Sequence, residues 1–133
     1  MIARILLIED DQDLLELFAD ALNKNGFSVD RFSDPLKAVS VFEQNPDGYD
    51  LVLSDIRMPG MTGLELVRKM KEISPNVNFA LMSAFETDSF KSQLNDLDLS
   101  TCIKKPMHIQ QLVNAAKGCI ENSKTVSRSE KFR

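Results

Sequence analysis

Short apolar runs alternate along this chain with segments of helical period. Ile5–Ile8 and Leu51–Leu53 are continuous apolar runs, the pattern of strands buried on both faces. Ser28-Val29-Asp30-Arg31-Phe32 alternates polar and apolar, as a half-exposed edge strand does. Val77–Met82 and Ser100–Ile103 predict a fourth and a fifth strand. Between them, Leu14, Leu15, Phe18, Ala21 and Leu22 form one helical stripe, closed by Asn25-Gly26 as a C-terminal stop. Asp34-Pro35 opens a second helix with a capping residue and a first-turn proline. Thr62 and Glu65 have the spacing of a capping box at the start of a third. A polar helix is expected between Glu86 and Leu99, and Ile109, Leu112, Val113, Ala116 and Ile120 stripe the last one. Strand and helix alternating in this way predict an α/β fold with a parallel sheet and helices on both faces.

Right-handed crossovers and an edge-like second strand favour a five-stranded sheet of order 2-1-3-4-5, the doubly wound flavodoxin-like arrangement. In such a sheet the C-terminal strand ends share one edge, and ligands bind there. The first strand runs into Glu9-Asp10-Asp11, the third into Asp55, and the fifth into Lys104-Lys105-Pro106. Taken singly, Asp10, Asp11 and Asp55 read as helix caps. Gathered at one edge they repel one another unless a cation sits among them. A hard divalent ion takes oxygen ligands of this kind. The joint pattern therefore predicts Mg²⁺, or Mn²⁺ in its place, beside a reactive aspartate with Lys105 across from it.

Composition narrows the alternatives. The chain has 133 residues, 43% of them hydrophobic and 27% charged, which suits one globular domain with its own core. A net charge of −4 argues against a nucleic-acid-binding body. No apolar run approaches the ~18 residues of a membrane span, and Met1-Ile2-Ala3-Arg4 lacks the layout of a signal peptide. A cytoplasmic location is expected, with Cys102 and Cys119 reduced and half-buried. His108, the one histidine, opens the last helix without a cluster around it and is expected to be exposed and non-catalytic. The helix over 86–99 has only Phe90, Leu94 and Leu97 as apolar anchors, so it is expected to open easily and to be the mobile element. Residues 123–133 carry four basic residues and one acidic, leaving −7 on the rest. The division expected is a domain over 1–122 and a basic tail or linker remnant over 123–133.

Four motifs, each at a strand end, carry a resemblance to the receiver domains of two-component response regulators. They are Ile8-Glu9-Asp10-Asp11, Ser54-Asp55-Ile56-Arg57-Met58-Pro59-Gly60-Met61-Thr62-Gly63, Met82-Ser83-Ala84 and Lys104-Lys105-Pro106. The resemblance covers about residues 3–122. It implies that Asp55 accepts a phosphoryl group from a sensor histidine kinase or histidine phosphotransfer protein. It implies Mg²⁺ ligation by Asp10, Asp55 and the Arg57 backbone carbonyl, with Glu9 acting through a water. Ser83, the Ala84 backbone and Lys105 would hold the phosphoryl group, and Arg57 and Phe85 would govern water access. The peptide before Pro106 would be cis. An unknown downstream protein would read the change around Ser83 and the helix after it. The domain would be a monomer or a weak phosphorylation-dependent dimer, without direct nucleic-acid binding or membrane insertion.

Two features depart from the family pattern. Cys102 stands where the family usually has an aromatic ring, so a ring swinging between rotamers cannot report the state of the site. Ser83 stands where threonine is commoner. Two other functions share the fold or the nucleophile. A protein-binding receiver module without phosphorylation usually lacks one of the acidic residues or the lysine, and here all are present. A Mg²⁺-dependent phosphohydrolase generally has a second aspartate two residues after the nucleophile, where this chain has Arg57.

Overall fold

The computed structural model describes residues 2–83, 102–104 and 108–131, with side chains described over 2–83 and 108–121. The elements run β1 (Arg4–Ile8), α1 (Gln12–Lys24), β2 (Ser28–Phe32), α2 (Pro35–Gln44), β3 (Leu51–Asp55), α3 (Gly63–Ile73), β4 (Phe79–Ser83), β5 (Cys102–Lys104) and α4 (Ile109–Lys131). The expected helix over 86–99, and with it Ala84, Phe85, Lys105 and Pro106, lies outside the described residues.

All five strands form one sheet of order β2-β1-β3-β4-β5, every pair parallel. This is the order read from the sequence. The two apolar runs take the central places, and Ile5–Ile8 and Leu51–Leu53 are fully buried. β2 lies at an edge with a mixed burial pattern, which is why its residues alternate.

Side chains of a strand alternate between faces, and the core divides accordingly. Leu6, Ile8 and Val52 pack with Phe42 of α2 and with Leu66, Val67 and Met70 of α3. Ile5, Leu7 and Leu53 pack on the other face with Phe18 and Leu22 of α1 and with Leu112, Val113 and Ala116 of α4. Helices therefore cover both faces.

Local signals set the helix ends. Gly26, at φ 93°, lets the chain leave α1. Its N–H donates to Asn23 O (3.2 Å) while Phe27 N–H donates to Leu22 O (3.1 Å), closing the last turn of the helix. Asp34 caps α2 with Pro35 in its first turn. Thr62 and Glu65 form the expected capping box on α3.

Several boundaries differ from the sequence reading, among them the end of β5, which is Lys104 and not Ile103. β4 begins at Phe79, not Val77, because Val77 N–H closes a turn on Ser74 O (3.1 Å) and the ladder starts where Phe79 meets Val52. It extends through Ser83, which pairs with Lys104 of β5. α4 continues to Lys131, so the change of composition at residue 123 is not a helix end. Cys119, expected half-buried, is only 8% exposed because it lies on the sheet-facing side of α4.

Candidate functional site

The register of the sheet places the acidic residues. Ile8 pairs with Ser54 across β1 and β3, so the next residues, Glu9 and Asp55, stand level at the C-terminal edge. Glu9 continues the β1–β2 ladder, its N–H donating to Phe32 O at 3.1 Å, and the residue is fully buried. Asp55 ends a strand buried along its whole length and is itself 8% exposed.

The consecutive aspartates Asp10 and Asp11 have different tasks. Asp11 caps α1, accepting from the N–H groups of Asp13 (3.0 Å) and Leu14 (3.2 Å). Asp10 is exposed and offers a carboxylate oxygen to the same cluster as Glu9 and Asp55. One oxygen from each of these three residues lies within 4.8 Å of the others. The capping reading is thus right for Asp11, while Asp10 joins the cluster.

This set suits a small hard cation. Around an octahedral ion with ligands at ~2.1 Å, neighbouring oxygens lie about 3 Å apart and opposite ones about 4 Å apart. The three carboxylates lie close enough to serve such an ion directly or through a water. Carboxylates this close, one of them fully buried, carry a repulsion that a divalent ion relieves.

The Asp55 carboxylate is held through the backbone. Asp55 Oδ1 accepts from the N–H of Ile56 at 3.0 Å, and that same N–H donates to Met82 O of β4 at 3.0 Å. The Asp55 carbonyl accepts from Ser54 Oγ at 2.8 Å. The loop then runs out through exposed Arg57 and returns by buried Met58 and Met61, turning at Gly60 with φ 84°. It ends where Gly63 N–H donates to Ile56 O at 2.7 Å. Ser54 and Gly63 are the two ends of one sequence motif, but neither showed a role of its own at the site in the sequence.

Ser83 ends β4 and is 7% exposed, one strand over from Asp55. β5 ends at Lys104 opposite Ser83. The expected phosphoryl-binding Ala84 and Lys105, and Phe85, fall outside the described residues. His108 is exposed, and its N–H donates to Gln111 Oε1 at 2.9 Å as α4 begins. At the opposite edge of the sheet, burial and a hydrogen bond to Asp30 push Tyr49 up to about 12.

Known proteins resemble this chain in sequence and in fold. The family model "Response regulator receiver domain" matches residues 5–117. The chain is 33% identical over 111 residues to the response regulator receiver protein CpdR of Brucella abortus, covering 84% of this chain and 91% of that protein. It is 29% identical over 115 residues to sporulation initiation phosphotransferase F of Bacillus subtilis, covering 86% and 90%. It also matches sensor kinase CckA of Brucella abortus at 28% identity, there spanning 13% of the longer protein. A solved response regulator receiver domain protein from Clostridium thermocellum superposes with a TM-score of 0.82 at 25% identity, over 94% of this chain and 99% of that one.

Proposed function

Because this chain belongs to the response regulator receiver family, whose members are phosphoacceptors and not conventional turnover enzymes, we propose that Asp55 takes a phosphoryl group from a histidine kinase or a histidine phosphotransfer protein. The observation that carries this reading is the meeting of Asp55 with Glu9 and Asp10 at the sheet edge, their oxygens within 4.8 Å. Asp10 and Asp55 would hold Mg²⁺ directly, with the Arg57 carbonyl, and Glu9 through water. When bound, the ion supplies positive charge against the negative charge of an incoming phosphoryl group.

The chain's own residues do the rest. A carboxylate oxygen of Asp55 attacks phosphorus in line. The P–N bond of the donor breaks, its electron pair passes to the imidazole nitrogen, and that nitrogen takes up a proton. The Ile56 N–H keeps the other part of the carboxylate anchored to the strand. Ser83 donates its hydroxyl to a phosphoryl oxygen, with the Ala84 N–H and the Lys105 ammonium as further donors. These donors would meet charge that was absent before transfer. Drawing Ser83 inward pulls on the segment that follows it and changes which downstream protein the domain binds.

The partners on this reading are proteins, at a cytoplasmic site, and the domain is a monomer or a weak phosphorylation-dependent dimer. Arg57 in place of a second acid, itself exposed, counts against a hydrolase. The test is intact-mass analysis after acetyl phosphate and Mg²⁺. One phosphoryl group should be gained by the parent and none by Asp55→Asn. Undiminished, stoichiometric labelling of Asp55→Asn would overturn the assignment.

A further inference from the structure

The carbonyl oxygen of Asp55 is approached from two separate elements. From within β3, the fully buried Ser54 donates its hydroxyl to that oxygen at 2.8 Å. From the start of α3, Gly63 lies so close that a Cβ built on it would stand 2.5 Å from the same oxygen and 2.9 Å from the Ile56 Cα. Both are backbone atoms, which no rotamer change can move aside. Gly63 is not among the glycines with positive φ, so the requirement here is closeness rather than backbone freedom.

We propose that Ser54 and Gly63 are positioning residues for phosphoryl transfer: a buried hydroxyl and a missing side chain together fix the Asp55 peptide and, through it, the acceptor carboxylate. The proposal rests on Asp55 being the acceptor.

The coupling runs through the Ile56 peptide. Gly63 N–H donates to Ile56 O at 2.7 Å, and Ile56 N–H is shared between Asp55 Oδ1 and Met82 O, each at 3.0 Å. A Cβ at position 63 pushes on the peptide whose N–H anchors the carboxylate. Loss of the Ser54 hydroxyl leaves the Asp55 carbonyl without that donor in a place closed to water. Ser54 Oγ also lies 3.9 Å from Met58 Sδ, in contact with the returning loop. Displacements well under the width of an atom matter at a reacting centre, where about 1 Å of misplacement costs on the order of 100-fold in rate.

The experiment compares the parent, Ser54→Ala, Gly63→Ala and Gly118→Ala. A Cβ at position 118 meets nothing within 4 Å, so the last variant controls for a glycine-to-alanine change in a helix. Urea melts first define conditions in which each variant is folded. Phosphorylation rate with acetyl phosphate at saturating Mg²⁺, Mg²⁺ affinity, and the Ile56 amide NMR shift without Mg²⁺ are then measured. We expect a fall in rate of about 3- to 10-fold for Ser54→Ala and of about 10- to 100-fold for Gly63→Ala. Both should show weaker Mg²⁺ binding and a moved Ile56 resonance, and Gly118→Ala should match the parent.

A purely structural role lowers the urea midpoint and leaves the folded protein reacting at the parental rate. That result in Ser54→Ala overturns the proposal, including the case in which Gly63→Ala does not fold. A parent that takes no phosphoryl group at all refutes instead the acceptor reading beneath it.

Discussion

Ile8 stands opposite Ser54 in the parallel ladder between β1 and β3, and this single register brings Glu9 level with Asp55. A slip of one residue would exchange the faces to which the side chains of a strand point. The buried apolar residues of both strands oppose that slip, because Ile5 and Leu7 would leave one core layer and Leu6 and Ile8 the other. The hydrophobic core thus fixes the spacing of the carboxylates.

The division of labour between Asp10 and Asp11 can be separated experimentally. Asp10→Asn removes one charge from the cluster, so Mg²⁺ affinity should fall while the metal-free protein gains on the order of 1 kcal/mol. Asp11→Ala removes the α1 cap and should cost about 1 kcal/mol without weakening Mg²⁺ binding. Urea midpoints with and without Mg²⁺ measure both, since an ion that binds the folded state raises the midpoint. Equal Mg²⁺ affinity in Asp10→Asn and the parent would place the ion elsewhere.

Much of this architecture was legible in the sequence, for a physical reason. Ile5–Ile8 and Leu51–Leu53 are buried on both faces, so their whole composition signals a strand. Asp34-Pro35 and Thr62 with Glu65 act locally, so spacing alone reveals them. The acidic cluster was legible because parallel topology turns separate strand ends into neighbours. The Ser54 and Gly63 contacts were not, because they depend on how closely α3 approaches one peptide of β3. The true start of β4 was hidden because Val77 is apolar yet belongs to a turn. The run of α4 past residue 122 was hidden because the apolar stripe ends at Ile120 while the helix continues.

Tyr49 offers a clean titration, as the chain has one tyrosine and no tryptophan. Its hydroxyl donates to Asp30 Oδ2 at 2.6 Å, the Arg4 guanidinium meets the same oxygen at 2.9 Å, and that guanidinium carbon lies 5.1 Å from the ring centroid. Burial, then the hydrogen bond and the charge of Asp30, push the phenol up to about 12, with Arg4 opposing. In the unfolded chain it titrates near 10. The folded form therefore keeps its proton while the unfolded form loses it. Stability from this group is complete below about pH 10 and declines as pH rises toward 12. Tyrosinate absorbance should show a midpoint near 12, and Tyr49→Phe should lack this part of the decline. A midpoint near 10 would show that Asp30 does not hold the phenol.

The basic tail should be dispensable for the chemistry. The buried residues of α4 among those with described side chains run from Leu112 to Ile120. Removing residues 123–133 should leave the phosphorylation rate at the parental value. The remaining body, at −7, should show no duplex DNA binding, and any binding by the full chain should be weak and vanish with salt. A truncated protein that no longer accepts phosphate would place the tail within the domain.

The phosphorylated state should be long-lived. Positions two after the acceptor and two after the switch hydroxyl flank the phosphoryl group on the family reading, and here they are Arg57 and Phe85. Neither supplies a carboxylate or carboxamide to orient an attacking water. Arg57, exposed beside the site, presents a planar set of donors that can cover phosphoryl oxygens, and Phe85 adds bulk. A water that is not held in line loses the advantage of proximity on which fast hydrolysis depends. Such a lifetime suits a regulator that keeps its signal or passes it to another histidine. Phosphate release from purified phosphoprotein, compared with Arg57→Ala and Phe85→Ala, measures the effect. Each variant should release phosphate several-fold faster than the parent, by about 3- to 10-fold. Decay of both at the parental rate would mean that neither side chain shields the acyl phosphate.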